Sequence, residues 1–553
     1  MPRNRSHFIA LGAGVICAVL VLWWWRSVDE ATAPIRLAPA EAPPAVVAGD
    51  VPPSADTDLT VTDPAARSLL AALQRLLARR DSRAREALLS FKDNESYRRF
   101  LARAKSAGLT VLGQLDGLRT VRVRFDTPSV LRGELLQNAA DYSAISANFT
   151  MGIPRPPAKD ARAAIDQVPL GNHVLEFLGV DPSLAARATW GQGITIAILD
   201  TGVAADPTFG EGRVRYLDIG LGTAAGKGNE DGHGTAVASL AAGLAADAPG
   251  IAPAASLLSI RVTDASGTSD IFTVAQAIVA AIDAGAKIVN ISLGGYATNA
   301  ALDAAIAYAS DRGSVIVAAA GNDQAAQLSW PAADSRVISV GAVDAIGQQV
   351  SFSNSGPQLQ IAAPGYGVQT AWLDQQRATV DGTSVSSPIV AGAIAAVMSQ
   401  NPALSPQQAW QVLQQTASDS GAPGVDPDFG NGILNLGWAM SRNDLTRIDP
   451  AISSHYYDPA TQTMEFVVQN RGNQSVANLM LNVDASGATS TSFIPPLAPG
   501  EIYVVKSLVD PAKLAAGDTL KFTTQLVNPP GLVDRVPGNN RRSSTLTAPA
   551  PVK

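Results

Sequence analysis

The sequence predicts an α/β domain with a mostly parallel sheet and helices on both faces, preceded by a small α+β domain and followed by a β-sandwich. Apolar strand runs alternate with alanine-rich helical segments between residues 175 and 440, and strands that are apolar throughout are typical of covered parallel sheets. Helically spaced leucines lie before this region, and strands of alternating pattern lie after it. The candidate strands of the sheet are Ile194–Leu199, Ser256–Arg261, Lys287–Leu293, Ser314–Ala320 and Arg336–Val343.

Length and composition limit the classes of protein to which this chain can belong. It has 553 residues, of which 46% are hydrophobic and 16% charged, so it can bury several cores and is not disordered as a whole. The 48 acidic residues outnumber the 41 basic ones, which argues against a nucleic-acid-binding surface. The one cysteine, Cys17, excludes an internal disulfide and a cysteine-ligated metal site.

Residues 1–30 have the pattern of a membrane anchor or an export signal. The apolar run Phe8–Trp25 is 18 residues long and follows two arginines, which favours a cytoplasmic N-terminus with the rest of the chain exported. The nearest small-residue cleavage motif, Ala31–Ala33, is followed by proline, which favours an uncleaved anchor over a removed signal. Residues 31–62 are rich in alanine and proline and should form a linker. We expect a protein of the cell envelope, anchored by its N-terminus or released after processing.

The rest of the chain divides into three predicted domains. Residues 63–155 combine helical leucine spacing with a hairpin signal at Asp116-Gly117 and should fold as an α+β unit. Its helices are expected near residues 69–77, 93–106 and 131–138. Residues 165–445 hold the α/β pattern, and residues 448–547 contain the alternating strands and glycine turns of a β-sandwich.

Two polar residues of the α/β region stand where folding alone does not require them. Asp200 ends an apolar strand, and groups at the carboxyl ends of parallel strands line the active crevice of such sheets, although Asp-Thr-Gly is also a common turn. His233 lies between Gly232 and Gly234, which leave space for other groups to approach the imidazole. A lone histidine is more often structural, but this context favours a functional one.

Ser384 begins an apolar helix after Gly382 and is a candidate nucleophile. A serine at a helix N-terminus meets the positive end of the helix dipole and free backbone amides, which stabilise an oxyanion. The same serine could be a simple N-cap. Pro388 should fall in the first turn of the helix, where its missing N–H costs little.

Asn322 follows a strand at the same sheet edge as Asp200, and its amide could donate to an oxyanion beside the backbone N–H of Ser384. Acyl transfer needs a nucleophile, a base, a group that orients the base, and an oxyanion donor. The four candidates for these roles occur in the chain order Asp200, His233, Asn322 and Ser384.

The motifs around these residues resemble the subtilisin-like serine peptidases. The resemblance covers roughly residues 190–440 and rests on ILDTGV, GHGTAVASLAAG, IAPAASLLSIRV, IVNISLGG, AAAGN, WPAADSRVISVGAV, FSNSG, IAAPG and GTSVSSP. It implies a serine endopeptidase that hydrolyses peptide bonds through an acyl-enzyme. Asp200 would orient His233, which would act as general base and then as acid. Ser384 would attack the peptide carbonyl, and its amide would form the oxyanion hole with Asn322.

The same resemblance implies where substrate would bind. An edge strand would pair with extended substrate, and a wall without charged residues would give the first specificity pocket an apolar or permissive preference. The residues concerned are Ser292, Leu293, Gly294 and Gly295 on the strand, with Ala319 and Gly321 in the wall.

The flanking domains also have counterparts in this family. Residues 63–155 would be a propeptide that assists folding and inhibits the enzyme until it is cut away, with Asn148–Thr150 near its exit. Residues 448–547 resemble adhesion-type β-sandwich modules, with a structural cap as the alternative. A cut between propeptide and catalytic domain would leave the anchor with the propeptide and release the peptidase from the membrane.

Further expectations concern cofactors and partners. No cofactor is certain and no metal ligand set is evident, although calcium is possible as a structural ion, and Asp264 and Asp270 are expected to be exposed loop carboxylates. The partners would be protein or peptide substrates, the chain's own propeptide and the membrane, with no nucleic acid.

Two other functions are alternatives to the peptidase hypothesis. A membrane-tethered scaffold would use the sandwich for binding, with an inactive α/β domain. A serine esterase would carry a Gly-x-Ser-x-Gly elbow ahead of its Asp and His, which is the reverse of the order in this chain.

Overall fold

The computed structural model describes residues 33–35 (backbone only), 63–155, 167–223, 232–264, 266–515 and 519–547. The apolar run Phe8–Trp25 lies outside the described residues. Among the residues that are described, no helix is long and apolar enough to cross a membrane. The described chain forms two compact units. One contains residues 63–417 and 425–440, and the other contains the first strand β1 (Ala33–Ile35), residues 418–424 and residues 441–547.

Within the larger unit, residues 63–155 form an N-terminal unit, an antiparallel sheet of four strands with three helices, where the sequence predicts three helices and one hairpin. The elements are α1 (Pro64–Ala78), β2 (Glu86–Phe91), α2 (Asn94–Arg103), β3 (Leu109–Leu115), β4 (Thr120–Phe125), α3 (Pro128–Gln137) and β5 (Tyr142–Ser146). The strand order is β3-β4-β2-β5. Asp63 begins α1 by accepting the N–H of Ala65 at 3.0 Å, and the leucines spaced along one face of this helix are buried.

The rest of the larger unit is built on a parallel sheet of seven strands in the order β14-β13-β12-β11-β7-β9-β8. Its elements are β6 (Thr150–Gly152), α4 (Val174–Phe177), β7 (Thr195–Asp200), β8 (Val214–Leu217), α5 (His233–Ala242), β9 (Ser256–Arg261), β10 (Thr268–Asp270), α6 (Ile271–Asp283), β11 (Ile288–Ile291), α7 (Ala300–Asp311), β12 (Val315–Ala319), β13 (Ile338–Val343), β14 (Ile361–Pro364), β15 (Val368–Ala371), β16 (Arg377–Val380), α8 (Thr383–Gln400), α9 (Pro406–Gln415) and α10 (Leu436–Met440). Two large apolar cores cover the sheet, with α5 and α8 in one and α6 and α7 in the other. The predicted α/β fold class is confirmed.

Helix α8 is buried along nearly its whole length, as its apolar sequence requires. The prediction for Pro388 is wrong in position, since the helix begins at Thr383 and Pro388 is its sixth residue. A proline there removes the N–H that would bond to the carbonyl four residues earlier, which belongs to Ser384. The hydroxyl of Ser292 donates to that carbonyl instead, at 2.9 Å.

The smaller unit consists of two sheets that share one apolar core. Its further elements are β17 (Pro450–Asp458), β18 (Thr463–Asn470), β19 (Leu479–Ala485), β20 (Ala488–Ile494), β21 (Ile502–Leu508), α11 (Pro511–Ala515), β22 (Thr519–Val527) and β23 (Arg541–Thr547). The strand orders are β17-β18-β21 and β1-β23-β22-β19-β20. Strand β1 lies within the predicted linker and pairs in parallel with β23. The loop 418–424, which the sequence places in the peptidase domain, belongs to this unit.

Candidate active site

A carboxylate and an imidazole are in direct contact at the end of the parallel sheet. Asp200 is the last residue of β7 and is fully buried, and its Oδ1 lies 2.8 Å from Nδ1 of His233, the first residue of α5. The same oxygen accepts the N–H of Thr201 at 2.8 Å. Because a carboxylate can only accept, Nδ1 carries the hydrogen of a neutral imidazole and Nε2 is its basic nitrogen.

Ser384 is the second residue of α8 and is 2% exposed. The preceding Gly382 has φ 142°, a conformation that residues with a side chain rarely adopt. A Cβ at Gly382 would lie 2.9 Å from Oγ of Ser384 and 3.0 Å from Nδ2 of Asn322. The hydroxyl and the amide therefore face one small space, which glycine keeps open.

Asn322 follows β12, and its amide is held in one orientation. Its Oδ1 accepts both the backbone N–H of Thr383, at 2.9 Å, and the hydroxyl of Thr383, at 2.8 Å. Its Nδ2 donates to the carbonyl oxygen of Pro154, at 2.7 Å. Sequence reasoning did not single out Thr383 or Pro154, although Thr383 stands inside the segment GTSVSSP.

The loop that carries Asn322 is held in place by hydrogen bonds to the side chain of Asn354. The Oδ1 of Asn354 accepts the backbone N–H groups of Asp323 and Ala325, both at 3.0 Å. Its Nδ2 donates to the hydroxyl oxygen of Tyr296, at 2.8 Å. Tyr296 in turn donates to the carboxylate of Asp323, and burial together with this carboxylate raises the pKa of its phenol.

The segment expected to pair with substrate has one half in the core and one half at the surface of the crevice. Leu293 is fully buried in the core between the sheet and α6 and α7. Gly294 exchanges two backbone hydrogen bonds with Gly152, both at 2.9 Å. Gly295 exchanges two with Trp330, at 2.7 and 3.1 Å. The expected edge strand is therefore a segment beyond the end of β11, and it already pairs with the chain's own residues through isolated bridges.

Two residues expected in the wall of the specificity pocket lie beside Asn322. Ala319 is the last residue of β12 and is fully buried. Gly321 has φ 110° and donates its N–H to Oγ1 of Thr383 at 3.1 Å. A Cβ at Gly321 would come within 2.2 Å of Nδ2 of Asn354, so only glycine fits at this position.

A cavity of about 360 Å³ opens beside the imidazole and the serine hydroxyl. His233 and Ser384 line it together with residues 153–155 of the chain itself. Its remaining walls are largely apolar and include Ala236, Val237, Leu240, Trp372, Val380 and Val385, with Asp381 as the acidic member.

The described residues contain no group of three or more histidine, cysteine and acidic side chains that could hold a metal ion. Asp264 is exposed as expected. The expectation for Asp270 is wrong, because this residue is 2% exposed and begins α6 by accepting the N–H of Thr273 at 3.0 Å. Arg83 and Arg122, both from residues 63–155, approach its carboxylate, and sequence reasoning did not foresee this contact.

Comparison with known proteins assigns the chain to a family. The model of the Subtilase family matches residues 191–432. The chain is 34% identical over 284 residues to the thermostable alkaline protease of Halalkalibacterium halodurans, covering 51% of this chain and 76% of that protein. It is 35% identical over 257 residues to subtilisin Savinase of Lederbergia lenta, covering 46% of this chain and 93% of that protein.

Among solved structures, fervidolysin from Fervidobacterium pennivorans, a keratinolytic enzyme related to subtilisin, has a similar fold. The TM-score is 0.56 at 21% identity, covering 85% of this chain and 77% of that one. The fold and the sequence relatives together define a peptidase of the serine class. The chain belongs to the subtilase family, and it is a serine endopeptidase that acts on protein or peptide substrates.

Proposed function

We propose that Asp200, His233 and Ser384 are the catalytic triad of this peptidase and that Asn322 and the amide of Ser384 form its oxyanion hole. The contact of 2.8 Å between Asp200 and Nδ1 of His233 carries this proposal, because it leaves Nε2 as the base on the side of the cavity that Ser384 lines. The segment 292–295 and the wall residues Ala319 and Gly321 are proposed to bind substrate.

The proposed reaction follows from the positions of these groups. His233 Nε2 takes the proton of the Ser384 hydroxyl as its oxygen attacks the peptide carbonyl carbon. The negative oxygen that forms is stabilised by Nδ2 of Asn322 and by an N–H of the first turn of α8. His233 then protonates the leaving amine, and a water molecule hydrolyses the acyl-enzyme by the same proton transfers in reverse order.

We also propose that residues 63–155 are a propeptide that this site removes from its own chain, and that the enzyme works outside the cytoplasm. The N-terminal unit supports this, because it ends in the segment that enters the crevice. The anchor at Phe8–Trp25, its release on processing and an adhesion role of residues 448–547 remain predictions. Structural calcium also remains a prediction, and no step of the proposed reaction requires it.

The test compares the full chain with its Ser384→Ala variant and with Ser310→Ala, which changes an exposed serine at the end of α7. The parent and Ser310→Ala should react with a fluorophosphonate probe and shed an N-terminal fragment. Ser384→Ala should do neither while folding normally. The parent could be folded and still fail to react with the probe after limited proteolysis has removed its N-terminal unit. That result would favour the scaffold alternative.

A further inference from the structure

Residues 150–154 lie in the crevice between two segments of the peptidase, and their first three residues form the strand β6. On one side β6 pairs antiparallel with β10, with Ser269 opposite Met151. On the other side Gly152 exchanges both backbone hydrogen bonds with Gly294, at 2.9 Å each. Ile153 adds a bond from its N–H to the carbonyl of Gly267, at 3.3 Å. This pairing fixes the register of the segment, since a shift by one residue would turn every side chain to the other face.

The register places one particular carbonyl on the proposed oxyanion donor. The oxygen of Pro154 accepts from Nδ2 of Asn322 at 2.7 Å, and Ile153, Pro154 and Arg155 line the cavity together with His233 and Ser384. We infer that the peptide bond between Pro154 and Arg155 is the one that this site cuts in its own chain. The inference rests on the proposed function and adds the site of the cut.

The step is a complete hydrolysis that needs only water as co-reactant. Oγ of Ser384 bonds to the carbonyl carbon of Pro154, and its proton passes to Nε2 of His233. The bond from that carbon to the nitrogen of Arg155 then breaks, and His233 gives the nitrogen its proton. Water next replaces Ser384 on the acyl carbon, which leaves a carboxylate on Pro154 and a free amine on Arg155.

The proline makes this cut slower than it would be at another residue. In an antiparallel pair, residues that exchange both hydrogen bonds alternate with residues that exchange none, so after Gly152 and Gly294 the next exchanging pair would be Pro154 and Ser292. Proline has no N–H, so that bond cannot be donated. Pro154→Ala restores the donor, and we expect its first-order rate of processing to rise about 2- to 10-fold.

The experiment follows processing of the full chain at early times by intact mass. The N-terminal fragment should end at Pro154 and the C-terminal fragment should begin at Arg155. Arg155→Pro turns the amide into a tertiary one with a ring on the leaving nitrogen and should block the cut, while the matched Arg155→Ala should still be cut. Circular dichroism and thermal unfolding verify that the variants fold, and the fragment masses of the parent test the inference without them.

The outcomes separate the inference from the proposed function. Fragments that depend on Ser384 but end at another residue overturn the inference and leave the function standing. So does an uncut parent whose Ser384 still reacts with a fluorophosphonate. A parent that is folded, uncut and unreactive even after removal of its N-terminal unit by another protease overturns both.

Discussion

At the residue scale, the orientation of one amide determines whether the proposed oxyanion hole has a donor. The two ends of the Asn322 amide differ chemically, since only Nδ2 can donate. Thr383 gives two donors to the Oδ1 end, so the Nδ2 end must face the crevice, where the carbonyl of Pro154 accepts from it. Thr383 therefore acts through Asn322 and is a positioning residue.

Removal of the Thr383 hydroxyl should lower the rate of the chemical step more than substrate binding. In Thr383→Val the backbone N–H still holds Asn322, but the hydroxyl donor and the acceptor for Gly321 are lost. We expect kcat to fall about 10- to 100-fold with little change in KM, less than the 10²–10³-fold cost of removing an oxyanion donor outright. Steady-state kinetics on a short chromogenic peptide measures both constants.

The double variant is the control for this explanation. Adding Thr383→Val to Asn322→Ala should cost little further activity, because the amide that Thr383 orients is already absent. If the losses of activity in the two single variants instead add in the double variant, Thr383 acts independently of Asn322.

At this scale, the sequence predicts the four candidate residues of the site. It does not predict the residues that hold them in position. Asp200 and Asn322 follow apolar strands, and glycines flank His233 and precede Ser384, so local pattern marks all four. The roles of Thr383, Asn354 and Pro154 depend on contacts between segments 31 to 168 residues apart in the chain, such as that of Asn354 with Asp323 and that of Asn322 with Pro154. No periodicity in a single sequence records such contacts.

At the element scale, the N-terminal unit docks over the first turn of α6. Asn148 accepts the backbone N–H of Phe272 at 3.1 Å, so both it and Asp270 satisfy amides that a helix start leaves without partners. Arg83 and Arg122, both from the N-terminal unit, approach the Asp270 carboxylate at 3.2 and 3.4 Å. Charged groups and a helix end thus hold the predicted propeptide on the peptidase.

Neutralising Asp270 should weaken the binding of the N-terminal unit to the peptidase without destabilising α6. Asparagine caps helices as well as aspartate, so Asp270→Asn keeps the bond to Thr273 and loses the charge that faces Arg83 and Arg122. We expect the dissociation constant of the cut N-terminal fragment to rise about 10- to 100-fold. The measurement is recovery of peptidase activity when the processed full chain is diluted.

Glu95→Gln is the matched control for this change. Glu95 pairs with Arg99 on an exposed face of α2 within the N-terminal unit. Its loss should leave the dissociation constant unchanged, since exposed pairs contribute little. Equal dissociation of Asp270→Asn and the parent would contradict a role for the charge.

Sequence patterns located most elements of the sheet but not all of them. Strand β9 has the predicted bounds, and β7 and β13 differ from prediction by one or two residues at an end. The strands β8 and β14 were not predicted. Both are only four residues long and lie at the two edges of the sheet, where so short a run carries little periodicity.

At the scale of the whole molecule, the smaller unit has a buried histidine that joins its two sheets. His455 lies on β17, and its ring nitrogens are each 2.7 Å from a hydroxyl oxygen of the other sheet, on Ser544 of β23 and Thr524 of β22. The ring of Phe466 packs against the imidazole edge to face. Burial, and secondly the charge of Arg542, hold the pKa of His455 well below its usual 6.5.

This histidine should make the smaller unit less stable at acid pH. The folded state keeps His455 neutral, while the unfolded chain binds a proton below about pH 6.5, so stability is complete above that pH and falls as the pH drops below it. One such group gives a slope of about 1.4 kcal/mol per pH unit between pH 6.5 and the folded pKa. The free energy of opening can be measured by hydrogen exchange of the backbone amides in β22 and β23 from pH 5 to 7.5. The Ser384→Ala variant is used so that the chain does not cut itself during the measurement.

The variant His455→Gln separates titration from loss of packing. Glutamine keeps a donor and an acceptor between the sheets but does not titrate in this range. We expect it to be less stable than the parent at pH 7.5 and to lose less free energy of opening between pH 6.5 and pH 5. If the free energy of opening falls equally with pH in the two proteins, the acid sensitivity belongs to groups other than His455. Because burial and the positive charge of Arg542 both disfavour the protonated form of His455, acidification should open this unit at the contact between its two sheets.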